Sequence, residues 1–242
     1  MNNMKHASRG SNASGSRQTE KSFTDTLMGL KRRGCCVLVT GQVDERVRAA
    51  QSRRLFGERE TSRQRVLTLT DATSDLDAQY LPESITPAHS SVTTLNYTGV
   101  VRDIASTADP TAELPPTAAS SEPSDSMGNL GDLLYDSIKE TIRAGQTVPG
   151  ELRLGIATLC VLLDTDGLSA TEAFVRALRA DVLAVGGMAH FHLPCSPGSE
   201  TLAALDPLID IHIELRESNG SVEHRWRLSE TDHVTDWLPL QR

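Results

Sequence analysis

The chain has 242 residues, of which 38% are hydrophobic and 4% aromatic, and its formal net charge is −8. This length suits one domain with a tail rather than several domains. The sequence contains no run of about 18 apolar residues, which excludes a membrane-spanning helix, and its first residues lack the apolar stretch of a secretory signal. We therefore expect a cytoplasmic protein whose four cysteines are reduced.

Composition divides the chain into a tail, a domain and an internal loop. Residues 1–21 are rich in Ser, Asn and Gly and almost devoid of apolar side chains, so we predict a disordered N-terminal tail. Residues 22–242 are predicted to form a single domain. Within it, residues 106–127 contain four prolines and no aromatic residue, which is typical of a flexible acidic loop rich in Pro and Ser.

The first half of the domain alternates between strand and helix patterns. The pattern predicts a short helix at 22–30, a strand at 35–41, a helix at 43–56, and strands at 66–70 and 91–97. The run at 35–41 is apolar throughout and ends in glycine, which indicates a strand buried on both faces, as in a parallel sheet.

The second half continues the alternation and ends in a hairpin. Predicted helices lie at 129–144, 171–185 and 199–208, and predicted strands at 152–158 and 188–193. Two further runs alternate apolar and polar residues on either side of Asn219-Gly220, a strong hairpin turn. The sequence thus predicts an α/β fold, with a mostly parallel sheet flanked by helices and a C-terminal antiparallel hairpin.

Several segments resemble a known family. They are LVTGQVDERVRAAQSRRLFG at 38–57, RQRVLTLTD at 63–71, ELRLGIATL at 151–159, GGMAHFHLP at 186–194, LDPLIDIHIELR at 205–216 and HRWRLSETDHVTDWLPL at 224–240. These segments are similar to a haloarchaeal family of uncharacterised RecA-like proteins, a domain of unknown function, and more loosely to RecA-like ATPases of the KaiC type. The resemblance implies a RecA-like sheet but no particular activity.

The segment that would form the phosphate loop of such an ATPase is degenerate. A working loop has the pattern GxxxxGK[ST], in which backbone N–H groups and the Lys hold phosphate and the Ser or Thr holds Mg²⁺. Here Thr40, Gly41 and Gln42 are followed by Asp44 and Glu45, with no second Gly and no Lys in the required places. We take Thr40, Gly41, Gln42 and Asp44 as the degenerate phosphate-loop position and expect the carboxylates to repel phosphate.

The catalytic acid that the resemblance implies is also absent. Ile156-Ala157-Thr158 stands at the end of the later strand, where a RecA-like ATPase carries an Asp. Asp164 and Asp166 are candidates for displaced Mg²⁺ ligands, but the segment 163–167 is more typical of a turn before a helix with Ser169 as its cap. We therefore predict that ATP hydrolysis is lost, and we assign no catalytic residue and no cofactor.

A metal site is the next alternative. His190 and His192 are separated by one residue on a strand and so point to the same face, with Cys195 close by, which is compatible with Zn²⁺. No further ligand is indicated, and we predict histidines of the core and no metal.

Arginines are concentrated between residues 46 and 65. Arg46, Arg53 and Arg54 are candidates for contacts with the phosphates of nucleic acid. Asp44, Glu45 and the neighbouring glutamates partly neutralise this stripe, which also fits a solvated helix face.

These observations favour a non-catalytic RecA-like module with a regulatory or protein-interaction role, and self-association or a protein partner is expected. One alternative is a DNA-associated regulator that binds through the arginine stripe. Another is an atypical ATP-binding protein.

Overall fold

The computed structural model describes residues 12–58, 62–70, 77–97, 126–143, 148–194 and 199–240. Its helices are α1 (Asn12–Arg33), α2 (Glu45–Phe56), α3 (Asp77–Tyr80), α4 (Ser126–Arg143), α5 (Cys160–Ala184) and α6 (Ser199–Leu205). Its strands are β1 (Cys35–Thr40), β2 (Gln64–Leu69), β3 (Val92–Asn96), β4 (Leu152–Ile156), β5 (Met188–Leu193), β6 (Ile211–Ser218), β7 (Ser221–Leu228), β8 (His233–Val234) and β9 (Leu238–Pro239). A 3₁₀ turn, Asp206–Leu208, links α6 to β6.

All the strands join one sheet, in the order β3-β2-β4-β5-β1-β6-β7-β8, and β9 also pairs with β7. The first six strands in this order, β3, β2, β4, β5, β1 and β6, are parallel to one another. The strands β7, β8 and β9 are antiparallel to their partners. The turn between β6 and β7 has positive φ at both Asn219 (51°) and Gly220 (76°), as the predicted Asn-Gly turn requires. The predicted α/β class and C-terminal hairpin are confirmed.

Helices cover both faces of the sheet, which explains why the central strands are apolar on both sides. On one face, Cys36 and Leu38 of β1 belong to a core with α4, α5 and α6. On the other, Cys35, Val37 and Val39 pack against α1 and α2. The burial of β1 on both faces, expected from its continuous apolar run, follows from this arrangement.

The connections that leave neighbouring strands β1 and β5 run in opposite directions across the sheet. The chain leaves β1 through α2 toward one edge of the sheet and leaves β5 through α6 toward the other, and the two helices lie on opposite faces. Such a reversal between neighbouring strands is where ligands bind in open α/β sheets. The turn after β1 is therefore a candidate ligand site.

Several boundaries differ from the sequence prediction. The first helix begins at Asn12 rather than residue 22, so it extends into the segment predicted as tail, while residues 1–11 lie outside the described part. Ser126 and Met127 belong to α4, and the rest of the predicted loop 106–127 is likewise outside it.

Two local expectations are corrected. The break predicted at 163–167 is present but shorter than expected: α5 consists of two helical segments that meet at a kink at Gly167 (φ 81°), and the residues just before this glycine are helical rather than in a turn. Cys35 and Cys36 are free and buried, whereas Cys160 is disulfide-bonded, so the expectation of four reduced cysteines is wrong. In the described ranges, none of the helices has the length and apolar character needed to cross a membrane.

Candidate functional site

Thr40, Gly41, Gln42 and Asp44 lie together in the turn that joins β1 to α2. Asp44 is the N-cap of α2, and its Oδ1 accepts a hydrogen bond of 2.8 Å from the backbone N–H of Arg46. The carboxylate thus takes a helix N–H group that would otherwise be available to a phosphate. The helix N-terminus is satisfied by the chain itself.

The same turn is closely packed against β6. Gly41 has φ 126°, and a Cβ atom at this position would lie 2.2 Å from the carbonyl oxygen of Leu215. Thr40 Oγ1 lies 3.0 Å from His212 Nε2, within hydrogen-bond distance. Burial, followed by the nearby charge of Arg227, lowers the pKa of His212, which keeps the imidazole neutral at pH 7. Only glycine fits at residue 41.

The carboxyl ends of β2 and β4 are joined by two threonines. Thr70 Oγ1 donates a 2.5 Å hydrogen bond to the carbonyl of Thr158 and accepts one of 3.1 Å from its N–H. Thr158 Oγ1 in turn accepts a hydrogen bond from the N–H of Cys160. The position where the resemblance implies a catalytic acid therefore holds hydroxyl groups that bond to the backbone.

Asp164 and Asp166 are carried by α5 rather than by the turn after β1. Asp164 is exposed, and Asp166 accepts a hydrogen bond of 3.4 Å from the hydroxyl of Tyr97. These carboxylates are not brought together with the phosphate-loop position by any described contact.

His190 and His192 are fully buried and face α2. His190 Nε2 lies 2.7 Å from Ser52 Oγ, and the ring packs edge-on against Phe56 with 4.8 Å between the ring centroids. Gly155 on β4 makes room for it, because a Cβ there would lie 2.6 Å from the imidazole. Neither ring nitrogen of His192 has a hydrogen-bond partner.

Burial lowers the pKa of both histidines, that of His192 to about 3, so both rings are neutral at pH 7. Within the part of the chain that the structure describes, no three His, Cys, Asp or Glu side chains are grouped to hold a metal. Cys195 lies outside that part.

The candidate nucleic-acid residues all lie on α2. Arg46 and Arg54 are exposed, and Arg53, which is partly exposed, donates to the backbone carbonyl of Gln79 in α3. Arg54 also lines a cavity between α1 and α2.

A family model described as "Family of unknown function (DUF7504)" matches residues 34–215, which run from the residue before β1 into β6. The chain belongs to DUF7504. The resemblance to a domain of unknown function is thereby confirmed, and no curated protein matches the chain. The match includes the turn after β1, both buried histidines and the amino-terminal ends of β2 and β4.

In this member of DUF7504, those strand ends carry arginines whose burial the sequence patterns do not predict, since the segment 46–65 is expected to form an exposed stripe. Arg65 of β2 and Arg153 of β4 are neighbours across the parallel strands and are only 2% and 5% exposed. Arg63 lies beside them, and its guanidinium donates to the carbonyl of Gly150. The signal available in the sequence was a single Arg153 within the buried run LRLGI, which is unusual because charged side chains are rarely fully buried without a partner.

Proposed function

We propose that this protein is a RecA-like domain that does not hydrolyse ATP and has a regulatory or protein-interaction role. The observation that carries the proposal is the turn after β1, where the Asp44 carboxylate occupies the N-terminus of α2. The mostly parallel sheet with helices on both faces supports the RecA-like assignment that the sequence resemblance implies.

Three features of the turn work against binding a triphosphate. Asp44 and Glu45 place two carboxylates at the helix end, and a phosphate there would meet like charge. No Lys stands in the turn to reach the phosphates. Gly41 is packed against Leu215, which holds the backbone in its present path.

The chemistry needed after binding is missing as well. Hydrolysis requires Mg²⁺ and a residue that positions the attacking water. At the end of β4, Thr158 is engaged with Thr70 and with the N–H of Cys160, so its groups are already used. The two deficits are independent, because they lie on different strands.

The test is an ATP turnover assay on the full chain with Mg²⁺, paired with equilibrium dialysis against ATP. We expect no turnover above the blank, whether or not ATP is retained. Turnover that is lost in Asp164→Ala and kept in Asp132→Ala, an exposed acid on α4, would contradict the proposal and indicate an atypical ATPase with a displaced ligand.

The interaction role is tested separately, by analytical ultracentrifugation of the purified chain over a range of protein concentrations. We expect self-association that increases with concentration. A strictly monomeric chain would limit the role to binding a different protein. Steeply salt-dependent DNA binding that is weakened in Arg53→Ala/Arg54→Ala would instead favour the DNA-associated alternative.

A further inference from the structure

A cavity of about 280 Å³ lies between α1 and α2, below the amino-terminal end of β1. It is at the opposite end of β1 from the degenerate phosphate-loop position. One side of it is apolar and includes Leu27, Ile211 and Trp226, and the other side is basic and includes Arg63 and Arg153. A cleft with an apolar wall and a few converging polar groups is the usual form of a small-molecule site, and this one is partly open to solvent.

Arg153 is the deepest charge of the cavity. It is 5% exposed, its Nη1 lies 2.8 Å from the sulfur of Met188, and its Nε has no hydrogen-bond partner. Burial, together with the charges of Arg63 and Arg65, lowers its pKa to about 10, so it remains protonated at pH 7. Burying a guanidinium without an opposite charge is destabilising, so a cavity that contains one is suited to an anion.

The two neighbouring arginines are no better compensated. Arg65 donates only to the backbone carbonyls of Arg63, Gly57 and Glu58, and Arg63 donates to that of Gly150. The Nε atoms of both are buried without partners. Neutral carbonyls satisfy hydrogen bonds but leave the net positive charge in place.

No described acidic group neutralises this cluster. Among the described residues, Arg63, Arg65 and Arg153 form no ion pair, whereas seven other pairings do occur. Glu58 lines the cavity but is exposed, and Glu151, which accepts a hydrogen bond from Ser62, forms an ion pair with none of the three arginines. Cys35 also lines it, but burial raises the pKa of its thiol to about 12, so the thiol carries no negative charge.

We propose that the cavity binds a small organic anion, whose phosphate or carboxylate group pairs with Arg153 and Arg63 and whose apolar part packs against Leu27, Ile211 and Trp226. Guanidinium groups bind the oxygens of either acid through paired hydrogen bonds. The apolar wall favours an aromatic or branched aliphatic body over inorganic phosphate alone. This site is independent of the turn after β1 and of ATP.

The test is isothermal titration calorimetry of the full chain with four probes. They are 2-naphthyl phosphate, 2-naphthoate, the uncharged 2-naphthol and inorganic phosphate. We expect at least one of the two naphthyl anions to bind with one-to-one stoichiometry, and both 2-naphthol and inorganic phosphate to bind more weakly. Whichever anion binds more tightly identifies the acidic group. Failure of both anions, or binding of 2-naphthol as tight as theirs, would overturn the proposal.

Variants connect the binding to the arginines. We expect Arg153→Met to weaken the anion roughly tenfold to a hundredfold, the usual range for a lost charge-assisted hydrogen bond. Arg153→Lys should restore most of the affinity. The matched control Arg176→Met, on the exposed side of α5, and Asp44→Ala, in the turn after β1, should bind as the unaltered chain does. Unchanged binding in Arg153→Met would overturn the proposal.

A measurement without ligand separates binding from a structural role. Because Arg153→Met removes an uncompensated buried charge and keeps the apolar stem, we expect its melting temperature to equal or exceed that of the unaltered chain. A large fall would identify Arg153 as a structural residue and contradict the proposal. Arg63→Met is a second variant in which the loss of anion binding can be measured, since Arg63 is only half-buried.

Discussion

The two ends of β1 differ in how their polar groups are satisfied. At the carboxyl end, Asp44 bonds to the backbone of α2, and Thr40 lies against His212. At the amino-terminal end, the cavity beside Cys35 contains Arg153, whose charge has no carboxylate partner among the described residues. At the end where open α/β sheets usually bind ligands, the polar groups are satisfied by the chain itself, whereas at the other end the charge of Arg153 has no such partner.

Position in the fold alone is therefore a poor guide to the site of this protein. A crevice at the carboxyl edge is general to open α/β sheets, but its use depends on groups that are free to bind. A buried charge without a partner is a more specific sign of a binding site, because such a charge destabilises the folded state and is therefore rare. The following predictions test this distinction.

The largest expected effect comes from turning a paired arginine into an unpaired one. Arg179 donates to both carboxylate oxygens of Asp210, which also accepts a 2.8 Å hydrogen bond from the N–H of Cys36. Asp210→Ala leaves that guanidinium and that N–H unsatisfied, so we expect the free energy of unfolding in urea to fall by about 3 kcal/mol or more.

The control is Glu172→Ala, which removes an exposed ion pair with Arg176 on the same helix as Arg179. We expect it to cost about 0.5 kcal/mol or less. If the two variants lose equal stability, the contrast between compensated and uncompensated buried arginines does not hold for this chain.

The second-largest effect is expected at His192, which is buried without a hydrogen-bond partner but is neutral, so no unpaired charge is buried with it. The pKa of His192 is about 3 in the folded chain, against 6.5 for an ordinary histidine. Between these values the unfolded chain binds a proton that the folded chain does not, so stability is fully present above pH 6.5 and is lost as the pH falls toward 3. We expect a loss of about 2–3 kcal/mol between about pH 7 and about pH 4.5 from this group.

Urea unfolding at several pH values measures the slope of the free energy of unfolding against pH. His192→Leu should flatten it, whereas His89→Gln, which removes an exposed histidine, should leave it unchanged. Burial also lowers the pKa of His190, so part of the slope should persist in His192→Leu. An unaltered slope in His192→Leu would show that this ring takes up a proton at the same pH in the folded chain as in the unfolded chain.

The smallest effect is expected at the cap of α2. Asp44→Ala frees the N–H of Arg46, and we expect it to lower the free energy of unfolding by about 1 kcal/mol, as the loss of an N-cap usually does. Asp132→Ala, an exposed acid on α4, is the control and should change stability little. If Asp44→Ala also created ATP turnover, the carboxylate alone would have been the barrier to catalysis.

Much of the fold was predictable because its signals are local. The apolar run at the start of the domain and the Asn219-Gly220 turn identified β1 and the hairpin, since burial on two faces and positive φ each require particular residues. The start of α5 was not predictable, because Asp164, Asp166 and Gly167 are typical of a turn, whereas the helix already begins at Cys160 and only Gly167 interrupts it.

The alternation of strands and helices, the absence of Lys from the turn after β1 and the carboxylates at the start of α2 follow from the sequence alone, because each depends on residues close together in the chain. Which charges remain without a partner follows only from the folded arrangement of the strands and helices. Arg65 and Arg153 are neighbours through the pairing of β2 with β4, and the apolar wall opposite them comes from α1, β6 and β7. Electrostatic compensation depends on distance in space, and the spacing of residues along the chain does not specify that distance.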